Sequence, residues 1–137
     1  MFTQSGSILA VDFGEARVGL ALASHEARLA HPIGTLKQTS SLLSQLQELC
    51  KQEKVTRVVV GLPRGMDGQD TAQTAAARQF GIELTTTLKL PISWQDEAVT
   101  SEQSKAELEA RGKPYAKEDI DALAATYILE DYLRVTI

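Results

Sequence analysis

Three acidic positions stand where carboxylates are costly. Asp12 ends the apolar run Ile8-Leu9-Ala10-Val11, and Gly14 closes a turn directly after it. Asp96-Glu97 ends a second run that contains Ile92 and Trp94. Asp121 sits inside the apolar stripe of a C-terminal helix, with Ala124, Ala125 and Ile128 at i+3, i+4 and i+7. A carboxylate beside an apolar surface is expensive unless something pairs with it. Three separated acids facing one region suit divalent cations such as Mg2+ or Mn2+, which take oxygen ligands and leave positions for phosphate oxygens. Two such ions activate water and stabilise a leaving oxygen, the chemistry of phosphodiester hydrolysis. Each acid also has a plain reading. Asp12 could cap its turn or pair with Arg17, Asp121 could be a first-turn acid favoured by the helix dipole, and Asp96-Glu97 could be a solvated strand end. Ionisable groups held at apolar surfaces cluster at functional sites, which favours the chemical reading for Asp12 and, less strongly, for Asp121. Strand alternation turns only one of Asp96 and Glu97 toward a cleft, and Glu97 is the preferred one.

The elements that must position these acids follow from apolar periodicity. Strands are expected at Ser7–Phe13, Arg17–Ser24 and Leu29–Leu36, and a helix at Ser40–Glu53 with Leu42, Leu43, Leu46 and Leu49 at helical spacing. The β-branched run from Arg57 to Leu62 reads as a buried parallel strand. Pro63–Gly68 reads as a loop, and Asp70 as the start of a helix with Gln73 as a capping partner. Gly81 would dent or bend that helix. A fifth strand is expected at Pro91–Glu97, a polar helix at Thr100–Ala110 and a final helix at Lys117–Leu133, with Ile120, Ala124, Tyr127 and Ile128 inward. Three strands followed by alternating helices and strands predict an α/β domain, a mixed five-stranded sheet flanked by helices on both faces. Ligands of such sheets bind at carboxyl ends of strands, where Asp12 and Asp96-Glu97 lie.

Composition narrows the classes. A chain of 137 residues with 43% hydrophobic residues reads as one domain, residues 1–137, with a real core. The single cysteine, Cys50, excludes an internal disulfide and is expected in the core rather than as a catalytic thiol. His25 and His31 have no zinc-ligand spacing with it. No apolar run is long enough for a membrane span, and residues 1–6 lack a secretory pattern, so a cytoplasmic protein without a membrane partner is expected. A net charge of −4 gives no global signal of nucleic-acid binding, which then rests on local Arg and Lys. Lys113 and Lys117 flank Pro114-Tyr115, where a solvated charged loop is favoured over a backbone contact. Trp94 and Phe80 are expected in the core rather than as base-stacking platforms.

Four segments together are similar to the YqgF/RuvX family. Asp12-Phe13-Gly14-Glu15-Ala16-Arg17-Val18-Gly19-Leu20-Ala21 resembles its opening D-x-G-x-x-R-[IV]-G-x-A pattern. Val60-Gly61-Leu62-Pro63 with Met66-Asp67-Gly68 resembles V-G-L-P-x-x-x-D-G. Asp96-Glu97 with Thr100 resembles D-E-R-x-T-[TS], and Asp121-Ala122-Leu123-Ala124-Ala125 with Ile128-Leu129 resembles D-x-x-A-A-x-x-I-L. The matches run in order from Ser7 to Leu133. The resemblance implies an RNase H-like fold and a metal-dependent endonuclease that processes the 5′ end of pre-16S rRNA in ribosome biogenesis. It also allows the alternative of a Holliday junction resolvase acting on branched DNA. By position it makes Asp12, Glu97 and Asp121 the catalytic metal ligands, binding Mg2+ or Mn2+. Arg17, Arg64 and Thr100 become substrate-binding residues. One departure stands out: Ala98 occupies the place of the family's Arg, which removes a basic group from beside the proposed scissile phosphate unless Arg17 or Arg64 compensates. Two further classes compete. An ATP-using phosphotransferase shares the Asp-x-Gly strand turn but needs two such lobes, and a non-catalytic RNA-binding module would not need the acids. Junction resolution would imply a homodimer, for which the pattern gives no surface.

Overall fold

The computed structural model describes residues 6–65, 67–97 and 100–136. The chain runs β1 (Ser7–Phe13), β2 (Arg17–Ser24), β3 (His31–Lys37), α1 (Leu42–Gln52), β4 (Val55–Pro63), α2 (Ala72–Leu88), β5 (Ile92–Glu97), α3 (Thr100–Arg111) and α4 (Lys117–Val135). The strands form one sheet in the order β3-β2-β1-β4-β5. β1, β2 and β3 pair as an antiparallel meander, while β4 joins β1 and β5 joins β4 in parallel. The tight Phe13–Arg17 turn permits the antiparallel return, and the β4-to-β5 crossover carries α2, as a parallel pairing requires.

Strand alternation divides the core into two layers. Leu9 and Val11 of β1, Val18, Leu20 and Leu22 of β2, and Val58 and Val60 of β4 pack with Leu42, Leu46, Phe80 and Leu84 of α1 and α2. The intervening residues Ile8, Ala10, Ala21, Ala23 and Val59 pack on the opposite face against Ala125, Ile128 and Leu129 of α4. Cys50 is buried in the first layer, and burial pushes its thiol up to about 11, which suits core packing and not nucleophilic chemistry.

Several local expectations need correction. The cap of α2 is Thr71, not Asp70: its Oγ1 accepts the Thr74 N–H, and the Thr74 hydroxyl accepts the Thr71 N–H. Thr74 also donates to the Pro63 carbonyl, tying the helix to the end of β4, so Gln73 has no share in the cap. The buried side of α4 is wider than the Ile120/Tyr127 stripe. Ala122–Thr126, Ile128 and Leu129 are buried, while Tyr127 is partly exposed and donates to Glu107. The reason is that α4 is covered twice, by the sheet and by α3. Gly81 makes room for an indole, since a Cβ there would lie 2.2 Å from Cη2 of Trp94. Trp94 itself is 39% exposed, so it caps the edge of the core instead of filling it.

Candidate active site

Ile8 and Ala10 face α4, and alternation carries Asp12 to the same side of β1. On β2, Ala21 and Ala23 face α4, and the same parity brings Gly19 and Arg17 there. Asp12 and Gly19 are direct partners across the antiparallel pair. Gly19 is where the helix lands: a Cβ on it would lie 2.0 Å from the backbone carbonyl oxygen of Asp121. No other residue type permits that approach. The carboxyl end of β1 and the second turn of α4 therefore meet across one glycine, and Asp12 and Asp121 come to one corner.

The turn that follows Asp12 is equally close-fitting. A Cβ on Gly14 would lie 2.6 Å from the Arg17 carbonyl. The Gln38 side-chain amide donates to the Gly14 carbonyl at 2.8 Å, pinning the turn to the segment after β3. Nothing in the sequence pattern marks Gln38 for this task.

Arg17 lies at the centre of the corner. Its Nε donates to Asp121 Oδ2 at 2.6 Å, and an NH group lies 3.8 Å from Glu118. Both Asp121 and Arg17 are largely sheltered, at 28% and 20% side-chain exposure. Burial raises the Asp121 carboxyl above the usual carboxylate range, and the Arg17 guanidinium only partly offsets this. Ionised Asp121 is thus a net cost to the folded state. Its neutral form gives stability that is fully present below the ordinary carboxylate range and lost as pH rises through the raised value. Asp121→Asn is accordingly expected to melt at or above the wild-type temperature near neutral pH, with the gap closing in acid. Thermal melts across pH test this, and a variant less stable at every pH would mean that the Arg17 pair outweighs the burial cost.

The register of β5 on β4 places Asp96. Ile92, Trp94 and Asp96 follow the α1/α2 face, where Ile92 packs on that core and Trp94 meets α2. Asp96 pairs with Leu62, and its carboxylate lies 3.1 Å from an Arg64 NH group. Arg64 also pairs with Asp70, which in turn lies 3.5 Å from Arg78. Position 97 pairs with Pro63 in the parallel register. The side chains of Glu97 and Thr100, and all of Ala98 and Met66, lie outside the described residues. Among the described residues no three His, Cys, Asp or Glu are grouped to hold a metal ion. Asp12 and Asp121, on the strand and helix that meet at Gly19, carry hard oxygens, which fit Mg2+ or Mn2+ by type. Arg17 supplies in the protein alone part of the positive charge that a cation would bring.

A family model described as "RuvX: Holliday junction resolvase" matches residues 6–135. A protein of Maridesulfovibrio salexigens is 36% identical over 130 residues, which cover 92% of this chain and 96% of that one. A protein of Chloroflexus aggregans is 39% identical over 131 residues, covering 93% and 92%. Both carry the name "Putative pre-16S rRNA nuclease". Among solved structures, Thermus thermophilus RuvC in complex with a Holliday junction superposes with a TM-score of 0.57 at 16% identity over 94% of each chain. The fowlpox virus Holliday junction resolvase gives 0.55 at 11% identity, over 95% of this chain and 99% of that one. At such identities the likeness is one of fold, and that fold is RNase H-like.

Proposed function

The chain belongs to the RuvX family, and from that membership we propose that it is a divalent-metal-dependent endonuclease that trims the 5′ end of pre-16S rRNA. The observation that supports the reading is the seating of the Asp121 backbone on Gly19, the strand partner of Asp12, at the carboxyl end of the central strand. Position 97 of β5 lies at the same end of the sheet, opposite Pro63 of β4. Mg2+ or Mn2+ bound there would activate water and neutralise charge on the phosphate. The chain's own residues perform the rest. Asp12 and Asp121 would supply oxygen ligands to the ion, and Glu97 is assigned the third. Arg17 restrains Asp121 in the free protein. With Asp121 engaged as a metal ligand, the Arg17 guanidinium would be available to a phosphate oxygen, a geometry that Arg matches with two N–H donors. With Ala98 in place of a family Arg, Arg17 is the basic side chain hydrogen-bonded to Asp121. Arg64 and Thr100 are assigned to the flanking strand, Arg64 after exchanging Asp70 or Asp96 for phosphate. A cytoplasmic location accords with this substrate.

The description of the family model favours a second reading, cleavage of four-way DNA junctions by a homodimer. One experiment separates the two: matched labelled substrates (a pre-rRNA 5′ fragment, a DNA junction and single strands), each with Mg2+ and with Mn2+ at stated salt. Preferential cleavage of the pre-rRNA fragment is expected. Paired symmetric cuts in the junction with inert RNA would transfer the assignment to resolution. Failure to cleave any substrate, combined with RNA binding, would leave a binding module.

A further inference from the structure

A cavity of about 250 Å³ lies where the connection from α3 to α4 folds back toward β3. Its floor is apolar, built from the buried side chains of Leu108, Ala122 and Leu123. Tyr115 forms part of the wall, and its hydroxyl donates to Glu109 at 3.0 Å, which holds the outer end of the ring. Three charged side chains, Arg111, Lys113 and Asp119, join Pro32 and Pro114 in the lining. Arg111 is paired with Glu107 at 2.7 Å, so Lys113 is the cation more readily given to a ligand. Asp119 Oδ2 accepts the Ala116 N–H at 2.9 Å, and a carboxylate retains further lone pairs for a second donor.

That combination has a specific chemistry. An aromatic wall with an apolar floor suits a planar heterocycle, a rim ammonium suits a phosphate, and a carboxylate acceptor suits an amino group on the ring. The volume lies below the range of about 300–1,000 Å³ typical of drug-sized ligands, which favours one ring over two. Position ties the cavity to the acid corner. Asp119 and Ala122 line it, while Asp121, between them in sequence, faces Arg17 on another side of the same helical turns. The two sites thus share the first turns of α4, so a strand bound at the acids can extend toward the cavity.

We propose that this cavity binds a single nucleotide of the substrate strand, its base against Tyr115 and its phosphate at Lys113. Asp119 selects bases that carry an exocyclic amino group, cytosine over uracil. The proposal rests on the nuclease reading for its strand, but the cavity can be tested without cleavage. Cytidine monophosphate added to the 137-residue chain should shift the backbone amide resonances of Ala122 and Leu123, and uridine monophosphate should do so more weakly. Asp119→Asn, which replaces one acceptor oxygen by a donor, should narrow or reverse that preference. On single-stranded RNA, Tyr115→Ala should weaken binding by about five- to a hundredfold, the range of one lost base stack. Tyr115→Phe should retain it. An abasic residue at one position of the RNA should cost the parent protein a similar factor and cost Tyr115→Ala little.

A flat abasic scan together with unshifted amides would overturn the proposal even if the protein cleaves RNA. Shifted amides with the predicted base preference would sustain it even if no nucleic acid were cleaved, in which case the nuclease reading alone would fall. Should Tyr115→Ala fail to fold, Tyr115→Phe, Asp119→Asn and the nucleotide titration still decide the matter.

Discussion

Asp12→Asn is expected to leave the fold intact and reduce cleavage by about a thousandfold or more. The substitution preserves size and shape on a strand whose pairing to β2 and β4 is made by the backbone. What it removes is one anionic oxygen donor from a corner where Asp121 is the described companion. Divalent-metal stabilisation of a phosphoryl transition state is worth several kcal/mol, and each 1.36 kcal/mol is a factor of ten in rate. The measurement is single-turnover cleavage of the preferred substrate with Mg2+ and Mn2+ titrated separately, alongside a thermal melt. Weakened Mn2+ affinity with an unchanged melt would place Asp12 in the metal centre. Undiminished metal-dependent cleavage by the purified variant would remove it.

Gly19→Ala makes the complementary prediction, because it alters no charged group. The added methyl would meet the backbone carbonyl of Asp121 at 2.0 Å, and backbone, unlike the end of a long side chain, has little room to yield. Either α4 lifts from β2 or the strand bends away. Overpacking of a well-filled core costs about 1–3 kcal/mol, and the upper end is expected here because α4 spans β1, β2 and β3. A urea midpoint that falls at constant slope would show lost stability without loss of two-state behaviour. Activity should fall as well: a displacement of about 1 Å at a catalytic group can cost on the order of 10²-fold. A variant with wild-type stability and wild-type rate would mean that Asp121 does not need its close seat on β2. Together the two variants separate loss of a ligand from loss of the geometry that presents it.

Which features were legible in the sequence follows from the range of the forces involved. β1 and β2 begin and end where the apolar runs do, because a central strand with both faces covered admits few polar residues. Thr71 was hidden because Asp70 and Thr71 are both good caps by type. The choice between them depends on Thr74, whose hydroxyl must also reach the Pro63 carbonyl of β4. The full buried width of α4 was hidden because helical periodicity registers one covered side, whereas α4 is covered by both the sheet and α3. Arg64 looked like a free phosphate contact from its loop, yet in the fold it is held between Asp70 and Asp96, two acids that lie far apart in sequence.

The sequence by itself determined the element types, the mixed sheet, the family and the identity of the candidate acids. Those depend on local periodicity and on residue types in a fixed order. Only the tertiary structure decided which of those acids share a face. Asp96 follows Ile92 and Trp94 toward α2. That outcome depends on the register of β5 on β4, since a slip of one residue would turn it to the other face. It also decided that the backbone of Asp121 lands on Gly19, the strand partner of Asp12. Nothing local makes that glycine necessary; the carbonyl it accommodates belongs to a helix roughly a hundred residues further along the chain. Contacts between distant segments are fixed by packing, and packing is where a row of residues acquires a site.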